Sequence, residues 1–131
     1  MLWDLISLTN IGSLKAHKDE IRILEKGTNT LVSGGRSMAN DSSVFVWDLR
    51  SSNPIDELEK HQDIYSMKVM PNDYEIYTGT SNKYVRYLNL KDKSLCSNLE
   101  PPHLDTVTSL SVVGNTLISG SRDFNLRFWD I

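Results

Sequence analysis

Two sets of side chains in this chain have the composition of a hydrolase triad. His17, Ser33 and Asp41 form one set, and His103, Ser119 and Asp123 form the other. A serine hydroxyl beside an imidazole that a carboxylate orients is the arrangement of an acyl-transfer nucleophile, provided the hydroxyl is exposed and oxyanion donors lie near the reacting carbon. The surroundings argue against that chemistry. Each serine lies inside an apolar run, Leu31-Val32-Ser33-Gly34 and Leu117-Ile118-Ser119-Gly120, and no nucleophile-elbow motif occurs. A trio that recurs twice at a fixed interval belongs to a repeat, and repeats build frames. No catalytic residue is expected.

Other chemistry is as poorly supported. His17, His61 and His103 fall one to each interval, and Cys96 has no cysteine partner, so no metal-ligand cluster forms. Ser33-Gly34-Gly35-Arg36 lacks the Lys-Ser/Thr and the helix of a phosphate loop. Asp19, Asp63 and Asp105 each follow a histidine by two residues and read as turn residues that satisfy backbone amides. Neither a cofactor nor a metal is expected.

The intervals themselves carry the information. Trp47-Asp48, Leu88-Asn89 and Trp129-Asp130 are separated by 41 and 41 residues, and Trp3-Asp4 lies 44 residues before the first of them. The three histidines recur at steps of 44 and 42. After each comes a short apolar run: Ile21 to Leu24, Ile64 to Val69, and Val107 to Val113. Leu31-Val32-Ser33-Gly34, Ile76-Tyr77-Thr78-Gly79 and Leu117-Ile118-Ser119-Gly120 follow, and then Val44 to Trp47, Val85 to Leu88 and Leu126 to Trp129. Polar turn residues separate these runs, as short antiparallel strands require, and no helical period is sustained. Val44-Phe45-Val46-Trp47, Leu117-Ile118 and Val112-Val113 are apolar on consecutive residues, the pattern of a sheet covered on both faces. The expected fold is all-β, with four-stranded antiparallel blades stacked on one another.

At these residues the chain resembles the WD-repeat family of β-propellers over its whole length. The usual Gly-His opening is absent, since Ala16, Lys60 and Pro102 precede the histidines. The resemblance divides the chain into a partial leading blade at 1–15, a full repeat at 16–59, a degenerate repeat at 60–101, and a repeat lacking its outer strand at 102–131. Residues 11–15 are expected as the outer strand of the leading unit. The resemblance also implies a buried hydrogen-bond relay in two blades: Asp41, His17, Ser33 and Trp47 in one, and Asp123, His103, Ser119 and Trp129 in the other. In both, the Asp lies six residues before the Trp. The middle repeat keeps His61 and Thr78 but has Asn82 and Leu88 at the Asp and Trp positions, so its relay is incomplete. Apolar packing by Met70, Tyr77, Tyr84 and Tyr87 is expected to replace it.

The bulk properties of the 131 residues agree. A net charge of −3 without a basic stripe speaks against nucleic-acid binding. No apolar run reaches the roughly 18 residues of a membrane span, and no membrane partner is expected. One cysteine suits a reducing compartment, which leads us to expect a cytoplasmic protein, with the nucleus equally compatible. The resemblance implies a non-catalytic scaffold for other proteins or peptides. Its binding rim is expected at the turns carrying Arg36, Met38, Asn40, Lys83 and Arg122. The alternative is an assembly segment that completes a larger or two-chain propeller and has no ligand of its own. A lone three-blade monomer is not expected, because it would leave two blade faces bare.

Overall fold

The computed structural model describes residues 1–38, 41–48, 50–51, 53–60 and 62–131. Thirteen strands form four antiparallel sheets. A two-stranded ribbon of β1 (Leu2–Trp3) and β2 (Asn10–Gly12) comes first. The outer strand of this leading unit thus begins at Asn10 and ends at Gly12, earlier than the 11–15 expected from sequence. Blade 1 follows, in the order β3 (Ile21–Lys26), β4 (Leu31–Gly35), β5 (Ser42–Trp47) and β6 (Pro54–Lys60). Blade 2 contains β7 (Ile64–Val69), β8 (Glu75–Thr80), β9 (Val85–Asn89) and β10 (Ser97–Asn98). Blade 3 contains β11 (Val107–Val113), β12 (Thr116–Ser121) and β13 (Leu126–Asp130).

The blades repeat in register as well as in order. Leu31 stands opposite Trp47, Ile76 opposite Leu88 and Leu117 opposite Trp129. In all three, the first strand is bulged near its start, between Ile21 and Ile23, Ile64 and Ser66, and Val107 and Ser109. A bulge leaves one residue out of the pairing and re-aims it. Arg22, Tyr65 and Thr108 occupy that place.

Stacking of blades makes the core. Val32, Val44 and Val46 of blade 1 are buried against Ile64, Met67, Ile76 and Leu88 of blade 2. A second cluster joins Tyr77 and Val85 of blade 2 to Val107 and Leu117 of blade 3, with Met70, Tyr87 and Trp129 at its border. Three of the four residues expected to stiffen the middle blade, Met70, Tyr77 and Tyr87, are in this second cluster; Tyr84 is half-buried outside both. Side chains alternate along a strand, so Leu88 and Trp129 face the preceding blade while their neighbours face the next. Every residue of β5 is buried, the direct consequence of having both faces covered. The glycine that follows Ser33 or Thr78 has a steric reason. A Cβ on Gly34 would lie 2.7 Å from the Met67 methyl, and one on Gly79 would lie 2.8 Å from Val107 Cγ1. Only glycine lets the next blade's first strand approach this closely.

Candidate interaction rim and the relays beneath it

In blade 3 the relay is continuous. The Trp129 indole N–H donates to Ser119 Oγ over 2.9 Å, and Ser119 Oγ lies 2.7 Å from His103 Nε2. The indole can only donate, so the serine's own proton is free for Nε2, and His103 Nδ1–H meets Asp123 Oδ2 at 2.9 Å. Asp123 also accepts the amides of Leu104 and Asn125. Burial pushes the Asp123 carboxyl up, but the two amides and His103 together outweigh it and hold the group far below the usual carboxylate range. The network therefore ties the 121–125 turn to the sheet. His103 is 1% exposed and Ser119 0%. No substrate reaches that hydroxyl, so the trio has the residues of a hydrolase without its access.

Blade 1 has the same beginning and a different end. Trp47 Nε1–H donates to Ser33 Oγ at 2.8 Å, and Ser33 Oγ lies 2.7 Å from His17 Nε2. Asp41, expected on His17, instead accepts from Lys18 Nζ at 2.6 Å. His17 Nδ1 is buried without a hydrogen-bond partner among the described residues. The cause is length: Ser33 and Trp47 are 14 residues apart, whereas Ser119 and Trp129 are 10 apart. The longer turn closes on itself, with Asp41 N–H donating to Met38 O and Ser37 Oγ to Asp41 O. Burial holds the His17 pKa below its ordinary value, so the ring is neutral at pH 7. In blade 2 His61 lies outside the described residues, Asn82 is exposed, Leu88 is buried, and Thr78 Oγ1 is buried without a partner among the described residues.

These differences predict unequal costs. His103→Ala or Trp129→Phe should lower unfolding free energy by about 1–3 kcal/mol, because a buried polar partner is left unmade. His17→Ala should cost less, since His17 has lost its carboxylate. Urea titration of the three variants reads this directly, and equal losses at His17 and His103 would show that the Asp123 link contributes nothing.

Above the relays the turns of the three blades meet. Arg36, Met38, Lys83 and Arg122 present exposed side chains there, and Asn40 lies outside the described residues. Backbone bonds set the turns: Arg36 N–H to Glu20 O, Ser81 N–H to Asp63 O, Arg122 N–H to Thr106 O, and His103 N–H to Lys83 O. Asp19 and Asp105 each accept the next residue's amide, as turn residues do. Asp63 does more. Its carboxylate accepts the Ser37 amide at 3.2 Å and Arg22 Nη1 at 3.4 Å, joining blade 2 to blade 1.

Arg22 and Tyr65 were not among the residues singled out from sequence. The first strands of the blades lie side by side, and the repeated bulge brings Arg22 over the Tyr65 ring at 4.3 Å from its centroid. Arg122 reaches the same ring at 5.6 Å, so each blade contributes one member. The available signal was their shared repeat position, directly after the first apolar residue of each first strand. Arg36 Nε lies 3.7 Å from Asp19, a loose pair. No ion pair to Arg122 or Lys83 is found among the described residues. Guanidiniums placed this way suit a carboxylate or phosphate oxygen.

Known proteins share both the repeat and the fold. The family described as "WD domain, G-beta repeat" matches residues 94–130. Mitochondrial division protein 1 of Pyricularia oryzae is 30% identical over 136 residues, covering 99% of this chain. The kinesin-like protein KIF21B of Mus musculus is 30% identical over 103 residues, covering 72% of this chain. The chain spans 18% of the length of the first relative and 6% of the second. Among solved structures, the computationally designed Ika4 protein matches with a TM-score of 0.77 at 23% identity, covering 98% of this chain and 77% of that one. The designed Ika8 protein matches with a TM-score of 0.76 at 22% identity, covering 98% of this chain and 38% of that one. The repeated closing pairs, the shared register and the stacked blades have one common explanation: this chain belongs to the WD-repeat family of β-propellers.

Proposed function

We propose that the chain is a non-catalytic interaction module that holds another protein or a peptide against the rim formed by its blade turns. WD-repeat proteins generally serve as scaffolds of this kind. The observation that carries the reading is the division of labour within each turn. Backbone bonds and, in blade 3, the buried relay hold the main chain, while Arg36, Met38, Lys83 and Arg122 remain exposed. A loop braced from below and open above binds without losing much conformational entropy. Its ligand is an acidic or phosphorylated segment, because Arg122 and Lys83 are the rim cations left unpaired among the described residues. The setting we propose is the cytoplasm or nucleus.

The test is a set of fluorescent acidic and phosphorylated peptides titrated against the chain and against the Arg36→Ala/Arg122→Ala double variant. Both arginines are exposed, so the variant should keep its circular dichroism and melting temperature. Loss of a charge-assisted contact worth about 1.5–3 kcal/mol weakens binding by roughly tenfold or more. The salt dependence should fall with it. Equal affinity of the two proteins for every bound peptide would move the site off this rim. The second reading, a segment that completes a larger propeller, is favoured by the uncovered face of blade 3.

A further inference from the structure

We infer that the uncovered face of blade 3 stacks on blade 1 of a second copy of this chain, with β2 of that copy pairing to β13. The inference does not rest on the rim reading, since it concerns a different surface and a different measurement.

Blade 3 has three strands, and the face it turns away from blade 2 carries Ile118, Leu126 and Phe128. Register equates these with Val32, Val44 and Val46 of blade 1, which are buried against blade 2. Phe128 is 67% exposed and Leu126 65%. Gly120 completes the match. In blade 1 the equivalent Gly34 lies against Ile64 and Met67 of the next blade, and in blade 2 Gly79 lies against Val107 of the next blade. Gly120 has only Ser109 and Leu126 of its own blade beside it. The space that glycine reserves for a following first strand is open.

The complementary surface is on the same chain. Ile21 and Leu24 of blade 1 occupy the repeat positions of Ile64 and Met67, the residues that fill the space beside Gly34. They are 51% and 59% exposed. Distance within one chain prevents the two faces from meeting, because blade 2 stands between them. A second copy supplies each face with its complement, and two such contacts close a ring of six blades, within the roughly four to eight that propellers use.

Strand pairing points to the same occupant. β1 holds β2 through only two register pairs, Leu2 with Gly12 and Trp3 with Asn10. β13 carries Phe128-Trp129-Asp130 where β1 carries Leu2-Trp3-Asp4, so β2 already matches a strand of this sequence. When β13 of the second copy takes the place of β1, it gains the outer strand that β11–β13 lacks and its open edge is covered.

Light scattering on the purified chain at tens of micromolar should give twice the 14.9 kDa chain mass. Phe128→Lys and Leu24→Glu, both at exposed positions, should each halve that mass without changing the circular dichroism. An equimolar mixture of the two variants should return to the two-chain mass, because the mixed pair has one unaltered contact and one Lys–Glu contact. A monomeric parent chain at this concentration would overturn the inference and leave the face to other blades of a longer polypeptide. So would a two-chain mass for either variant alone, a mixture that stays monomeric, or an open-ended series of larger masses.

Discussion

Leu88→Ala lowers the unfolding free energy by about 2–5 kcal/mol, the range for truncating a large side chain in a core that relaxes only partly. Leu88 stands where blades 1 and 3 have Trp47 and Trp129, and its register partner is Ile76. It is 1% exposed, in the cluster with Val44, Val46, Ile64 and Met67. Truncation thus opens a void between blades 1 and 2, each of which contributes half the lining. No hydrogen bond is lost, which separates this variant from those of the blade 3 relay. The urea midpoint should fall with an unchanged denaturant slope, since the surface exposed on unfolding is nearly the same. A loss under about 1 kcal/mol would mean that the blade 1–blade 2 contact closes up around the smaller side chain.

Arg86→Ala should be comparably damaging, by about 3 kcal/mol, because it strands a buried carboxylate. Arg86 faces blade 1 from the position opposite Thr78, and its Nε lies 2.9 Å from Oε2 of Glu59 on β6. The Glu59 side chain is nearly inaccessible. Burial raises the Glu59 pKa above its ordinary 4.5, and Arg86 acts in the opposite direction without cancelling it. A carboxyl whose pKa is raised on folding binds its proton more tightly in the folded state. Its contribution to stability is fully present below the unfolded pKa and is lost as pH rises through the folded one. Without Arg86 the opposing influence disappears and the folded pKa climbs further. The deficit of Arg86→Ala relative to the parent should therefore be largest near pH 7 and shrink on acidification towards the ordinary glutamate range. Glu59→Gln in the Arg86→Ala background should recover part of the loss and abolish the pH dependence. A deficit independent of pH would assign the effect to lost side-chain packing instead.

The relays show how far a repeat can be read without its structure. Trp47 and Trp129 each donate to the serine that the repeat spacing pairs with them, and the histidine in front completes the contact. Those three members lie in or beside regular strands, where the register follows from alternating position and strand length. The fourth member is in a turn. Asp41 and Asp123 have the same six-residue spacing to tryptophan, yet Asp123 meets His103 while Asp41 meets Lys18. The extra turn length precedes Asp41, and how that length closes up is not encoded in its spacing to Trp47.

Strand order, the all-β class and the burial of both blade faces were legible in the sequence alone. Each rests on local pattern: consecutive apolar residues, turn residues between them, and a period in the low forties. The contacts between blades were decided only by tertiary structure. Asp63 bridging to Ser37 and Arg22, the Arg22 and Arg122 guanidiniums on Tyr65, and the Glu59–Arg86 pair all join residues of different repeats. A period tells which residues are equivalent, and equivalent residues occupy the same place in successive blades. It does not tell which unlike residues the rotation from one blade to the next will bring together, and that rotation is set by how Gly34 and Gly79 admit the neighbouring first strand.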